Sequence, residues 1–336
     1  PWSLHLSLDA MDMGLAGLAG SGEFLERIRV SAQGDAELHG QGGQAPALNG
    51  TVRFSRLSMT LDDYLIESEG ASAVRIEGGS MELRPVAFAG PGTKLTASGV
   101  ARAGDELDLA LAGDVTHSLL RLLYREIEHG DGTASVSLSA AGGWNDPEIS
   151  GELTLSNGQI KIKDVPQKFT SLNGTVSFDR ESIVSQGVSG EVGGGTVTLS
   201  GSAKLTDASL QDFSAKAVID NVTVRYPQGL TAVLGGSLFY DGDRSVQTLS
   251  GELAILKARY EKRVDWKSML MDFRAGFTRK KEVETGWIGD TQLNLHFFGT
   301  ESILFESNLG KIPIDADMLF HGTVKQPQVL GRLEAR

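Results

Sequence analysis

The chain has 336 residues, 42 of them glycine and none cysteine, and 43 acidic against 31 basic side chains leave a net charge of −12. The lack of cysteine excludes disulfides, thiolate metal sites and cysteine nucleophiles, and the acidity repels a phosphate backbone, which excludes a general nucleic-acid binder. Abundant glycine with only 9 prolines points to many tight turns rather than disorder.

Taken in chain order, the dominant signal is apolar/polar alternation, the period of strands with one buried face. It appears at Val52 and Phe54, at Leu107, Leu109 and Leu111, at Val136, Leu138 and Ala140, and at Leu153 and Leu155. It continues at Ile160 and Ile162, Val176 and Phe178, Val197 and Leu199, Val222 and Val224, Leu253 and Ile255, then Leu293, Leu295 and Phe297. In the longest case Ile312, Ile314, Ala316, Met318, Phe320 and Val324 share one parity, while Lys311, Asp315, Asp317, His321, Thr323 and Lys325 share the other. Asn49-Gly50, Asn157-Gly158, Asn173-Gly174 and Asp241-Gly242 read as hairpin turns between such runs. The expectation is roughly 20 to 24 strands, mostly antiparallel neighbours.

Helical spacing is confined to three places. A weak one covers Glu23 to Arg29. A stripe of Leu119, Leu120, Leu123 and Ile127 runs from Thr116 to His129, with Thr116 and Gly130 as caps. A third runs from Trp266 to Arg274 behind Asp265 as N-cap.

A repeat is also present. Pro46 and Gly50 are answered by Pro147 and Gly151, 101 residues on, and Thr93 to Gly99 by Thr196 to Gly201. Leu249-Ser250-Gly251 and Pro327-Gln328-Val329-Leu330-Gly331 continue the theme. The predicted organisation is one β array in two segments, 1–140 and 141–336.

The six histidines (His5, His39, His117, His129, His296 and His321) are scattered, without the spacing of metal ligands. Asp315 and Asp317 face one way on a strand, as a carboxylate pair might in an enzyme acting on polysaccharide, but their strand carries all its apolar residues on the other face, which makes them a solvated surface. Asp62-Asp63 reads as a polar turn, and Gly193-Gly194-Gly195 as a turn or bulge. No nucleophile elbow, Walker or dinucleotide fingerprint occurs, so neither enzyme activity, cofactor nor metal is expected.

The apolar faces themselves remain to be explained. So few helices cannot cover so many strands, which leaves a closed sandwich or a curled sheet. In a curled sheet the alternating residues from Val52 to Phe320 would line one continuous groove, and each methylene moved into it from water gains about 0.8 kcal/mol. From Lys257 to Lys281 nine basic residues oppose three acidic ones. Arg259, Lys262, Arg263, Trp266, Arg279, Lys280 and Lys281 there could dock on an anionic membrane surface or partner; the other reading is a short helix over the groove with its charges in solvent. No apolar run is long enough to span a membrane, and the start at Pro1, without methionine or signal peptide, reads as a piece of a longer protein.

Two stretches carry a family likeness: Ser250-Gly-Glu-Leu-Ala-Ile-Leu-Lys-Ala-Arg-Tyr-Glu-Lys-Arg-Val-Asp-Trp266 and Leu319-Phe-His-Gly-Thr-Val-Lys-Gln-Pro-Gln-Val-Leu-Gly-Arg-Leu-Glu334. They resemble the C-terminal region of the TamB (DUF490) group of AsmA-like proteins, and the likeness is strongest after about Gly142. The resemblance implies an all-β, elongated, curled antiparallel sheet, the U-shaped β-taco, with a few short helices. It further implies a periplasmic location in a parent protein anchored in the inner membrane. The implied role is bridge-like phospholipid transfer towards the outer membrane; the alternative is a scaffold or chaperone of the translocation and assembly module, inserting outer-membrane and autotransporter proteins with an Omp85-type partner, TamA or BamA.

Overall fold

A computed structural model of the chain describes residues 2–14, 28–40, 48–62, 64–102, 106–116, 127–143, 146–163, 167–206, 209–225, 230–243, 245–262, 289–307 and 310–335. The described residues form 19 strands and, apart from a short 3₁₀ turn at 289–290, no helix. The chain divides into two compact units, the first comprising 1–165 with 171–180 and the second 166–170 with 181–336.

In the first unit the strands are β1 (Trp2–Gly14), β2 (Ile28–Gly40), β3 (Asn49–Leu61), β4 (Tyr64–Ser68), β5 (Ser72–Glu77), β6 (Ser80–Gly90), β7 (Thr93–Arg102), β8 (Glu106–Thr116), β9 (Ile127–Gly143), β10 (Asp146–Ile162) and β11 (Phe169–Phe178). From β1 to β10 each strand pairs antiparallel with the next, except that β3 and β6 are bridged by β4 at one end and β5 at the other. The second unit holds β12 (Ser182–Val192), β13 (Gly195–Thr206), β14 (Ser209–Val224), β15 (Leu230–Asp243), β16 (Gln247–Lys262), β17 (Gln292–Ser307), β18 (Gly310–Thr323) and β19 (Pro327–Ala335). These too pair in sequence order, antiparallel throughout except for β16 and β17, which run parallel. The expected antiparallel sheet thus contains one reversal, which alternation alone does not reveal because a two-residue period carries no direction.

The helix expected over 116–129 is bounded by strand on both sides: Thr116 closes β8, and Ile127 to His129 open β9. Its middle, 117–126, lies outside the described residues, as does the stretch 266–274. Of the weak helix at 23–29, Ile28 and Arg29 belong to β2 and the rest is outside the described residues.

The four dipeptides read as turns are not turns. Asn49-Gly50 opens β3, Asn157-Gly158 and Asn173-Gly174 lie inside β10 and β11, and Asp241-Gly242 lies inside β15. Two of the glycines show why glycine is needed within a strand. A Cβ on Gly50 would stand 2.1 Å from the Glu37 carbonyl oxygen, and one on Gly251 2.2 Å from that of Ser237, at φ of 156° and 146°. The repeat therefore marks places where the neighbouring backbone presses close. Asn157, at φ 48°, sits in a bulge where the β9–β10 register slips between Ser156 and Gln159. The bulge keeps Leu155 and Ile160 on one face although their numbers differ in parity, so two expected strands are one strand of 17 residues. Gly193-Gly194, with φ of 60° and 81°, is a true turn closing β12 onto β13, as a two-residue hairpin requires.

Candidate functional site

Directly opposed residues of neighbouring strands project to the same side of a sheet, so the registers assign each side chain to a face. In the first unit Val52 faces Ala36 and Val74, and Leu83 of β6 continues that row. Ala101 faces Leu107, and Leu109 and Leu111 face Ala140 and Leu138. Val136 faces Leu153, and Ala134 faces Leu155. Ile162 lies opposite Ile127, and Ile160 opposite Gly130. On β11, the Thr154–Thr175 hydroxyl pair at 3.1 Å fixes the polar side, so Val176 and Phe178 fall on the apolar one, with Phe178 beside Gly151. The predicted lining residues of this unit thus share one face.

The same holds in the second unit. Val197 and Leu199 oppose Ile219 and Ala217, and Val222 and Val224 oppose Leu234 and Ala232. Leu253 and Ile255 oppose Gly236 and Leu234. Across the parallel pair Leu293, Leu295 and Phe297 stand beside Leu249, Gly251 and Leu253, and then opposite Gly322, Phe320 and Met318. Ile314 opposes Ile303, and Ile312 lies two residues further along the same strand. Ala232, Ile255, Ala258 and Ala316 form a buried cluster here, with Phe297, Ile303 and Met318 packed against it.

Within each unit every described strand belongs to this ladder, and none is left to form a facing layer. The apolar face is accordingly shielded in some places and open in others: Leu107 is 6% exposed but Leu109 38%, and Leu253 5% but Leu199 44%. Alternation read from sequence missed Leu57, Met59, Ile66, Ile76, Val86 and Leu95, which complete the first unit's face. A bulge at Ser55 on β3 breaks the parity that would have signalled Leu57 and Met59, and one between Leu83 and Val86 on β6 that of Val86. It also missed four polar side-chain atoms buried without a partner among the described residues, Ser72 Oγ in the first unit and Ser185 Oγ, Tyr240 Oη and Thr291 Oγ1 in the second.

The opposite face is mostly polar, although Val218, Phe239 and Phe298 stand exposed on it. Arg53 pairs with Asp35 at 3.4 Å, Arg56 with Glu67, and Thr154 with Thr175. Asp315 and Asp317 lie on this face, and Asp317 Oδ1 is 2.8 Å from His296 Nε2. Arg259 is exposed on β16 beside Leu304, and Lys262 ends that strand; Arg263, Trp266, Arg279, Lys280 and Lys281 lie outside the described residues. At the β15–β16 turn Asp243 Oδ1 accepts from the Ser245 hydroxyl, the Ser245 N–H and the Val246 N–H at 2.6, 2.6 and 2.9 Å. The Ser245 hydroxyl, followed by the two N–H groups, holds that carboxyl below its ordinary range. Among the described residues no group of three His, Asp or Glu is placed to hold a metal, and no helix is long and apolar enough to cross a membrane.

No curated protein and no solved structure matches the chain. The model of the TamB C-terminal domain matches residues 87–261, from β6 through the end of β16. That match covers just over half of the sequence and spans strands of both units, so this chain belongs to the TamB family of the translocation and assembly module.

Proposed function

We propose that the apolar face carries phospholipid acyl chains, making the chain one segment of a bridge-like carrier between the inner and outer membranes, in the periplasm. The observation behind this reading is the face itself: aliphatic and aromatic side chains follow one another from strand to strand, with no second layer among the described strands of either unit. At about 0.8 kcal/mol per buried methylene, two acyl chains gain on the order of 20 kcal/mol as an upper bound, and contact of this kind tolerates movement from strand to strand. The polar face stays in water. In this reading the parent protein is anchored in the inner membrane and meets an Omp85-type partner, TamA or BamA, at the outer membrane. Arg259 and Lys262, with the basic residues that follow them, would contact anionic headgroups or that partner.

Extraction of the purified chain followed by mass spectrometry is expected to release phospholipid. Replacing Leu155, Ile162, Leu295 or Ile314 by Asp puts a charge into the apolar face and is expected to cut the recovered lipid about tenfold. Wild-type protein free of lipid, together with crosslinks to unfolded β-barrel segments, would replace this reading by the scaffold one.

A further inference from the structure

The sequence holds three Asn-Gly pairs, at Asn49, Asn157 and Asn173. Asparagine is among the chemically labile residues, and a following glycine, having no Cβ, leaves its own backbone nitrogen unhindered. All three asparagines are exposed, and their local sequences are alike. What differs is how the fold holds each carboxamide.

Asn49 Oδ1 accepts from the Gly78 N–H at 2.9 Å. Asn173 is held at both ends: its Oδ1 accepts from the Asn157 N–H at 2.9 Å, and its Nδ2 donates to the Ser171 carbonyl at 2.7 Å. The Asn157 carboxamide has no hydrogen-bond partner among the described residues. Of the three, it alone is free to turn.

The backbone differs as well. Asn49 and Gly50 oppose His39 and Leu38 in the β2–β3 register. In the β9–β10 register Ser156 opposes Thr133 and Gln159 opposes Asp131, so neither Asn157 nor Gly158 has an opposed residue of its own. A bulge leaves its extra residue outside the ladder, with fewer bonds to break before the Gly158 nitrogen can reach the Asn157 side chain.

We propose that Asn157 is a site of spontaneous modification, the place where this chain deamidates. The Gly158 nitrogen attacks Asn157 Cγ, the Cγ–Nδ2 bond breaks, and Nδ2 leaves as ammonia with the proton given up by Gly158. The succinimide so formed takes up one water. Opening at the side-chain carbonyl gives aspartate, and opening at the main-chain carbonyl gives isoaspartate. Isoaspartate routes the main chain through Cβ, adding one carbon to the bulge that keeps Leu155 and Ile160 on one face. Pairing of 159–162 with 127–131 is expected to loosen. None of this depends on what the apolar face carries.

The test ages the full chain in mildly alkaline buffer, digests it, and measures aspartate and isoaspartate at each pair by peptide mass spectrometry. From the hydrogen bonds that must break first, Asn157 is expected to convert about fivefold faster than Asn49 and about thirtyfold faster than Asn173. In denaturant the three should react at like rates, because only the fold tells them apart. Hydrogen exchange in the isoaspartate fraction should speed up in 159–162 and 127–131, and an aged Asn157→Ser variant should show no such change. Conversion at Asn49 or Asn173 as fast as at Asn157 in the folded chain, or the same ranking kept in denaturant, overturns the inference. Unchanged exchange in the isoaspartate fraction overturns the effect on the bulge.

Discussion

The bands β7–β9 in the first unit and β14–β18 in the second present the same alternation with different textures. The first is aliphatic and small: Leu95, Ala97 and Ala101 lie beside Leu107, Leu109 and Leu111, then Ala134, Val136, Leu138 and Ala140. The second brings in rings, with Phe297 edge-on to Phe320 at 5.0 Å and Tyr240 against Phe213 at 4.9 Å, and it packs them around a parallel strand pair. The difference teaches that a two-residue period fixes a face and nothing more. What the face is like to touch depends on side-chain volume, and how it assembles depends on strand direction.

The largest expected effect comes from the repeat glycines. Gly50→Val and Gly251→Val each drive a branched side chain into a neighbouring carbonyl oxygen and impose a φ that L residues avoid, costing about 3 kcal/mol or more. Hydrogen exchange should lose protection in β2–β3 for the first and β15–β16 for the second. Loss of protection in both units from either substitution would dissolve the distinction between them.

A smaller effect sharpens the contrast between shielded and open stretches. Leu107→Ala and Leu253→Ala remove well-covered side chains and should cost about 2–4 kcal/mol, read from denaturant midpoints. Leu199→Ala, on the same face as Leu253 but 44% exposed, should cost under about 1 kcal/mol. Equal costs at all three positions would mean that the apolar face is covered evenly, as in a closed core.

The smallest effect concerns the β15–β16 turn. Because folding lowers the Asp243 pKa, the stabilisation it brings is fully present above the ordinary aspartate value and fades as pH falls through the lowered folded value. Asp243→Asn removes this titration. The exchange rate of the Val246 amide should therefore differ between wild type and variant near neutral pH and converge in acid.

Much of this was legible in the sequence. Parity alone placed Val52 with Phe54, Leu153 with Leu155, and Ile312 with Phe320 on common faces, because strand geometry forces it. Asn49-Gly50 and Asn173-Gly174 were misread for a physical reason: the freedom that lets glycine form a hairpin also lets it admit a neighbouring backbone within a strand, and the local residues are the same in both cases. Leu155 and Ile160 looked like parts of different strands because a single bulge at Asn157 inverts the count. The row in which Ser185, Gly201, Ala215 and Tyr240 oppose one another in turn could not be seen at all, since it is assembled from four strands and depends on registers that no local window contains.

The parallel pairing of β16 with β17 has a bearing on synthesis. In the first unit the partner of nearly every strand is the next one to leave the ribosome, so hairpins can close soon after they emerge. Gln292 follows Lys262 by about 30 residues, and the flank of β16 formed by Leu249, Gly251 and Leu253 must wait until those residues have been made and the two strands are brought together. During that wait the edge of β16 is open to any extended segment nearby. The last three strands should accordingly be the latest part of the chain to resist protease in a nascent-chain experiment, and the part most in need of an attendant chaperone.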